Sequence, residues 1–290
     1  MNRRQHLKNL ALGVSAVALG THLASANAFQ TTGITGEGLL KHSVSRWCYA
    51  NTPLEILIDF CKKNGIHSIE LLEPEEYRKV VRKGLTCAVA NGPASHIQRG
   101  FNDPAMFDYL LKEYQRLIPI AADNGIPNII CFSGNRNGLD DKEGLENCAK
   151  GLEPVIKLAE KYGINLIMEL LNSKVDHPDY QCDYSAWGIE LVNKTGSERF
   201  KLLYDIYHMQ IMEGNIIDTI RKNITAIAHF HTAGVPGRND PDHTQELNYA
   251  AIFKAIKETG YQGFIGQEFI PKKQNPLDSL LDSIQLVNQS

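Results

Sequence analysis

The chain has 290 residues, 43% hydrophobic and 22% charged, with a formal net charge of -3. That length supports one large core, and nothing in the composition marks a disordered or fibrous chain. No dense run of lysine and arginine of the kind that neutralises phosphates is present, so nucleic acid is not an expected partner.

The first 28 residues read as an export leader. Arg3, Arg4 and Lys8 make a basic start without acidic residues. A mostly apolar stretch from Leu10 to Leu19 follows, too short to cross a bilayer. Ala26-Asn27-Ala28 is a small-x-small cleavage site, and the paired arginines match a twin-arginine signal. The expectation is a signal over 1–28, a spacer over 29–39 and a periplasmic protein without further membrane attachment, with a cytoplasmic location as the alternative. The six cysteines form no CxxC pair, and several sit in apolar runs, as Cys87 and Cys131 do. Free thiols are expected.

From residue 40 one pattern repeats: a short apolar run, polar residues, an amphipathic helix, then a glycine. Strands are expected at 43–48, 67–72, 85–90, 127–132, 164–170, 201–206, 225–231 and 263–268. Several are near-continuous apolar runs, which suits parallel strands buried on both faces. Thr52-Pro53 and Asp103-Pro104 mark helix starts, with a capping residue before a proline. Between Asp140 and Tyr162, apolar residues at three- and four-residue spacing define one buried helical face. Pro119 lies inside the helical pattern of 104–122 and is expected to kink or break it. Eight strands alternating with helices over 40–290 predict a single-domain α/β protein, a (β/α)8 TIM barrel. No GxGxxG follows the first strand and no phosphate-binding P-loop is present, which argues against the nucleotide-binding open sheets. The absence of a Gly-x-Ser-x-Gly argues against a serine nucleophile on an elbow.

Four strands end in metal-capable side chains: Glu169, Asp205, His231 and Glu268. Barrel active sites form at the C-terminal ends of the strands. Three carboxylates brought together without a cation would repel, and one imidazole with oxygen ligands suits Mg2+ or Mn2+ and tolerates Co2+ or Zn2+. One such residue alone reads more readily as a cap or salt-bridge partner; four in register on successive strands predict one divalent metal site. His229 lies on the same side of its strand as His231, further from the end, and reads as a core or supporting residue. His208, three residues after Asp205, is expected in a loop above the metal, bonding substrate. Arg99 and Arg238 lie in loops after the third and seventh strands, where a guanidinium can clamp a carboxylate. His96 beside Arg99 joins them as a candidate substrate contact. Each also reads as an ordinary surface residue.

Trp47-Cys48-Tyr49, Gly134-Asn135-Arg136, Met168-Glu169-Leu170, the run Tyr204-Asp205-Ile206-Tyr207-His208-Met209-Gln210, Ala233-Gly234-Val235-Pro236-Gly237-Arg238, Gln245-Glu246-Leu247-Asn248-Tyr249 and Gly266-Gln267-Glu268-Phe269 together resemble hydroxypyruvate isomerase and its relatives, over about residues 40–285. These belong to the xylose-isomerase-like barrels, which include ketose 3-epimerases. The resemblance implies a metal on Glu169, Asp205, His231 and Glu268, with Glu169 and Glu268 also acting as acid and base. Some hydroxypyruvate isomerases carry glutamine at the position of His231, whereas the sugar epimerases carry histidine. The implied reaction converts hydroxypyruvate to tartronate semialdehyde through an enediolate. Two alternatives stay open: epimerisation or isomerisation of a free ketose, and an exported barrel that binds metal or ligand without turnover. The implied partner is a small hydroxy-oxo acid or sugar, and pairing into a homo-oligomer is common among such barrels.

Overall fold

A computed structural model describes residues 40–93 and 97–289. The leader expected over 1–28, the spacer over 29–39 and His96 lie outside the described residues. Seven strands pair in parallel: β1 (Lys41–Ser45), β2 (Ser68–Glu70), β3 (Asn128–Cys131), β4 (Asn165–Glu169), β5 (Phe200–Asp205), β6 (Ile227–Thr232) and β7 (Phe264–Gln267). Their order in the sheet is β2-β1-β7-β6-β5-β4-β3. Between them run α1 (Leu54–Lys63), α2 (Pro74–Arg82), α3 (Phe107–Asp123), α4 (Asp141–Tyr162), α5 (Ser185–Thr195), α6 (Ile206–Met212), α7 (Ile216–Asn223) and α8 (Tyr249–Glu258), and α9 (Pro276–Asn288) follows β7.

The eighth position is filled by 86–90, where a full strand was expected. Thr86 bridges Ser68, and Ala90 bridges both Leu72 and Ile129. The main-chain bonds Leu71 N to Val89 O (2.7 Å) and Ala90 N to Asn128 O (2.9 Å) join β2 to β3 through this segment and close the barrel. The ladder is irregular because side chains take its place. The Ala88 N–H donates to Ser68 Oγ at 2.8 Å, and Asn128 Nδ2 donates to the Ala88 carbonyl at 2.8 Å.

Inside the barrel, Ala88, Val89, Ile130, Ile167 and Leu203 form a small separate apolar cluster. Alternation along the strands places Glu169 two residues beyond Ile167 and Asp205 two beyond Leu203, so these carboxylates face inward above that plug. The larger core lies between the strands and the helices, with Leu57, Leu152, Phe230 and Leu280 all fully buried.

Helix boundaries follow local chemistry. Asp140 caps α4 by accepting from Glu143 N at 2.7 Å, and Gly163 ends it in the left-handed conformation at φ 70°. Asp103 caps a 3-10 turn (Pro104–Met106) that leads into α3, whereas α1 begins without a side-chain cap from Thr52. Pro119 does not break its helix: α3 runs through it to Asp123. Leu117, Ile118 and Ala121 bury the surrounding turns against the core, and that packing outweighs the lost hydrogen bond.

All six cysteines are free, and only Cys48 is not fully buried. Burial raises the thiols of Cys61, Cys87, Cys131, Cys148 and Cys182 above their ordinary range. A bulky aromatic disulfide reagent is therefore expected to titrate about one thiol in the native protein and all six after denaturation. Rapid native reaction of four or more would contradict this packing.

Candidate metal centre and cleft

Glu169 ends β4, Asp205 ends β5, His231 lies near the end of β6 and Glu268 follows β7. The structure brings all four together: one ligand-capable atom from each lies within 4.8 Å of all the others, and all four residues are buried. His231 is the centre. Its Nδ1 lies 3.1 Å from Glu169 Oε1 and 3.0 Å from Glu268 Oε2. Asp205 has divided its carboxylate. Oδ1 accepts from the main-chain N–H groups of Tyr207 (2.8 Å) and His208 (3.2 Å), capping α6. Oδ2 remains for the centre, 3.6 Å from His208 Nε2 and 3.7 Å from Arg238.

Glu268 is held on both oxygens. Trp47 Nε1 donates to Oε1 at 2.7 Å, and an Arg238 Nη donates to Oε2 at 2.7 Å. The Arg238 guanidinium lies over the rings of Trp47 (5.2 Å) and Tyr207 (5.5 Å).

The electrostatics follow from these contacts. Burial pushes the Glu268 carboxyl up, but His231 and Arg238 outweigh it and hold Glu268 well below the usual carboxylate range. Glu169 is pushed up by burial and then by Glu268. Burial also lifts Asp205, to about 8, against the pull of Arg238. Burial opposes charge on His231, yet Glu268, Glu169 and a third carboxylate, Glu70, hold its imidazolium well above the ordinary range. Among the described residues, the positive charge facing the three convergent carboxylates thus comes from Arg238 and a proton on His231. A hard divalent cation fits this donor set of carboxylate oxygens and one imidazole nitrogen, and its charge would let Glu169 and Asp205 ionise together.

The cleft above the centre encloses about 720 Å³. Its wall includes Trp47, Asn91, Gln98, Asn135, Asp176, His177 and Arg238, with Glu169 and Glu268 at its base. Arg238 lines the cleft, but its guanidinium is paired with Glu268 rather than left free for a substrate carboxylate. Arg99 lies away from the cleft lining: it is 59% exposed and pairs with Asp103 at 3.1 Å. Its short side-chain partner four residues on holds it at the surface. His208 is not in a loop but in the first turn of α6, because Asp205 caps that helix immediately. It is fully buried, its Nδ1 lies 2.7 Å from Asn172 Nδ2, and burial holds its pKa well below the usual value. His177, whose ring centre is 5.3 Å from that of His208, lines the cleft instead.

Three contributors were not expected from sequence. Asp176 accepts from Tyr207 Oη at 2.8 Å and from Asn172 Nδ2 at 2.6 Å on the cleft wall. His177 follows it in the same loop. Glu70 ends β2 and reaches His231 Nε2 at 2.9 Å. The signal for Glu70 was weaker: it lies in an expected strand, after Ser68-Ile69, where a single apolar residue precedes the carboxylate. No such pattern marks the loop residues. His229 is fully buried beside Glu70, in the supporting position expected of it.

The chain is similar to curated isomerases and to solved structures of several activities. A hydroxypyruvate isomerase from Escherichia coli (strain K12) is 33% identical over 149 residues, 51% of this chain and 57% of that protein. A 2-oxo-tetronate isomerase from Pectobacterium atrosepticum is 27% identical over 221 residues, 72% of this chain and 83% of that protein. Across curated relatives the matched part spans from 38% to 84% of their length. The D-psicose 3-epimerase of Clostridium cellulolyticum H10, solved with D-tagatose, superposes with a TM-score of 0.71 at 18% identity, covering 86% of this chain and 99% of that one. That likeness establishes the fold. Residues 58–289 match the family model of the xylose isomerase-like TIM barrel, and the chain belongs to that family.

Proposed function

We propose that the protein is a metal-dependent isomerase that moves a proton between adjacent carbons of an α-hydroxy carbonyl compound, with hydroxypyruvate and tartronate semialdehyde as the leading pair. The class, isomerase, agrees with the family and with the named relatives. The observation that carries the reading is the meeting of Glu169 and Glu268 on one nitrogen of His231, at 3.1 and 3.0 Å, at the base of the cleft. Glu169, Asp205, His231 and Glu268 would hold the cation. When bound, a divalent ion supplies Lewis-acid polarisation of the carbonyl and neighbouring hydroxyl oxygens.

The chain's own residues do the rest. One glutamate, ionised, takes the proton from carbon and the other, protonated, returns one at the adjacent carbon, while the substrate's hydroxyl proton passes to the former carbonyl oxygen. Trp47 and Arg238 fix both oxygens of Glu268, so its orientation is set before substrate arrives. Glu169 is engaged by a side chain through Oε1 alone among the described residues. His208 Nε2 is buried without a hydrogen-bond partner and lies 3.6 Å from Asp205 Oδ2, placing a ring nitrogen beside the reacting oxygens. A positioned general base contributes roughly 10²–10⁴-fold, about 3–5 kcal/mol, whereas even modest enzymes need about 8 kcal/mol. Charge stabilisation at the centre supplies the remainder.

The cleft favours a second reading within the same chemistry. A three-carbon acid leaves most of 720 Å³ unfilled. With Arg99 on the surface, Arg238 is the only guanidinium among the described lining residues, and it is paired with Glu268. Asn91, Gln98, Asn135 and Asp176 suit hydroxyl groups instead, which points to a free ketose.

Metal-stripped protein is expected to be inactive and to regain turnover with Mg2+ or Mn2+. Formation of tartronate semialdehyde from hydroxypyruvate supports the leading pair; epimerised ketose with no acid turnover supports the second. Activity unaffected by complete chelation would end the metal reading. Glu169→Gln and Glu268→Gln should each lower kcat by roughly 10²–10⁴-fold. Arg99→Ala should leave kcat and KM within about twofold, as for other exposed pairs. Arg238→Lys should lower kcat/KM at least about tenfold, because an ammonium cannot stack on Trp47 while reaching Glu268.

A further inference from the structure

Below the four convergent ligands lies a carboxylate that the reaction does not use. Glu70 is fully buried and does not line the cleft. Its Oε1 is 2.9 Å from His231 Nε2, and its Oε2 is 3.0 Å from His229 Nε2. Gly266 makes room for it. A Cβ there would strike the Glu70 carboxylate and lie 2.7 Å from the His231 ring and 3.0 Å from His229 Nε2. Gly266 pairs with His231 on one side and Ser43 on the other, and Ser43 pairs with Ser68, so small residues clear the floor beside the imidazole. Two histidines and a glycine are committed to one buried carboxylate.

We propose that Glu70 is the positioning residue of the metal centre. By accepting the Nε2 hydrogen of His231 on Oε1 it fixes the tautomer and ring plane that leave Nδ1 facing Glu169 and Glu268, while His229 Nε2 hydrogen-bonds the same Oε1 at 3.1 Å. This rests on the metal-centre reading above. A carboxylate has only acceptor sites, so both imidazoles must present N–H to it. An amide of the same volume puts an NH2 either at the Oε1 position, against both imidazoles, or at the Oε2 position, 3.0 Å from His229 Nε2, and any ring that meets it must carry its hydrogen on Nδ1. If that ring is His231, the ligand nitrogen is lost. Partners of this kind orient metal-bound imidazoles generally. A second cation among Glu70, His229 and His231 is the competing use of the cluster, and it would require His231 to give up both ring hydrogens.

Calorimetric titration of the metal-free full chain with Mn2+ tests this. Wild type should bind one equivalent. Glu70→Gln should bind it about 10–100-fold more weakly, with an unchanged far-ultraviolet circular dichroism spectrum. The Co2+ visible spectrum should change in Glu70→Gln, reporting an altered ligand field. His229→Gln, which keeps a donor toward Glu70, should lose less affinity than Glu70→Gln. If Glu70→Gln does not fold, Glu70→Asp takes its place and should bind more weakly than wild type. Wild-type affinity in a folded Glu70 variant, or two equivalents bound by wild type, would overturn the proposal. A wild type that binds no divalent cation would overturn the metal-centre reading as well, and the wild-type isotherm separates the two failures.

Discussion

Everything at the mouth of this barrel depends on one buried imidazole with carboxylates on both ring nitrogens. His231 is fully buried, with Glu70 on Nε2 and Glu169 and Glu268 on Nδ1. Charges removed from water in this way are costly unless paired and hydrogen-bonded. The surrounding sequence supplies that compensation residue by residue. His229 balances Glu70, Trp47 and Arg238 balance Glu268, and the first turn of α6 balances half of Asp205. The least compensated part is Glu169, its carboxylate held by His231 alone among the described residues, with the second oxygen of Asp205, and under the proposed function a cation's charge would fall there. Stability and chemistry therefore make the same demand on this cluster.

Arg238 shows how a loop is bent to meet that demand. Its backbone is left-handed, at φ 57°, next to Gly237 at φ 93°. A long side chain in that conformation is strained by about 1–3 kcal/mol and persists only when its surroundings fix it. Here the Ile270 N–H donates to the Arg238 carbonyl at 2.7 Å, and Gly234 N donates to Asn239 O at 2.7 Å, pinning the loop on both sides. The result lays the guanidinium over Trp47 and onto Glu268. Trp47 and Arg238, from opposite ends of the chain, thus form one clamp on a single carboxylate.

The fold and the ligand set do not by themselves select a substrate. The base of the cleft is built from strand ends, whose positions the barrel fixes. The wall is built from loops: Asn91 and Gln98 after the eighth barrel position, Asn135 after β3, and Asp176 with His177 after β4. Loops vary with little cost to the barrel, so related proteins can share a centre and differ in what they turn over.

The sequence by itself determined the architecture and the four residues that converge at the strand ends. Seven of the eight expected strands appear as strands within a few residues, because parallel strands buried on both faces leave dense apolar runs. Glu169, Asp205, His231 and Glu268 were legible because each closes such a run, and strand alternation decides which way each one faces. The irregular strand at 86–90 was legible as apolar sequence, but its pairing through the side chains of Ser68 and Asn128 was not. Only the tertiary structure decided that Arg99 stays at the surface, that His208 is buried in a helix, and that Asp176 and His177 line the cleft. These outcomes depend on where a loop returns in space, and no period in the sequence records that. Glu70 falls between the two cases. Its place in an expected strand was visible, but its partners lie 159 and 161 residues away, on another strand. Only closure of the barrel brings them together, and the missing side chain of Gly266 gives the carboxylate its place.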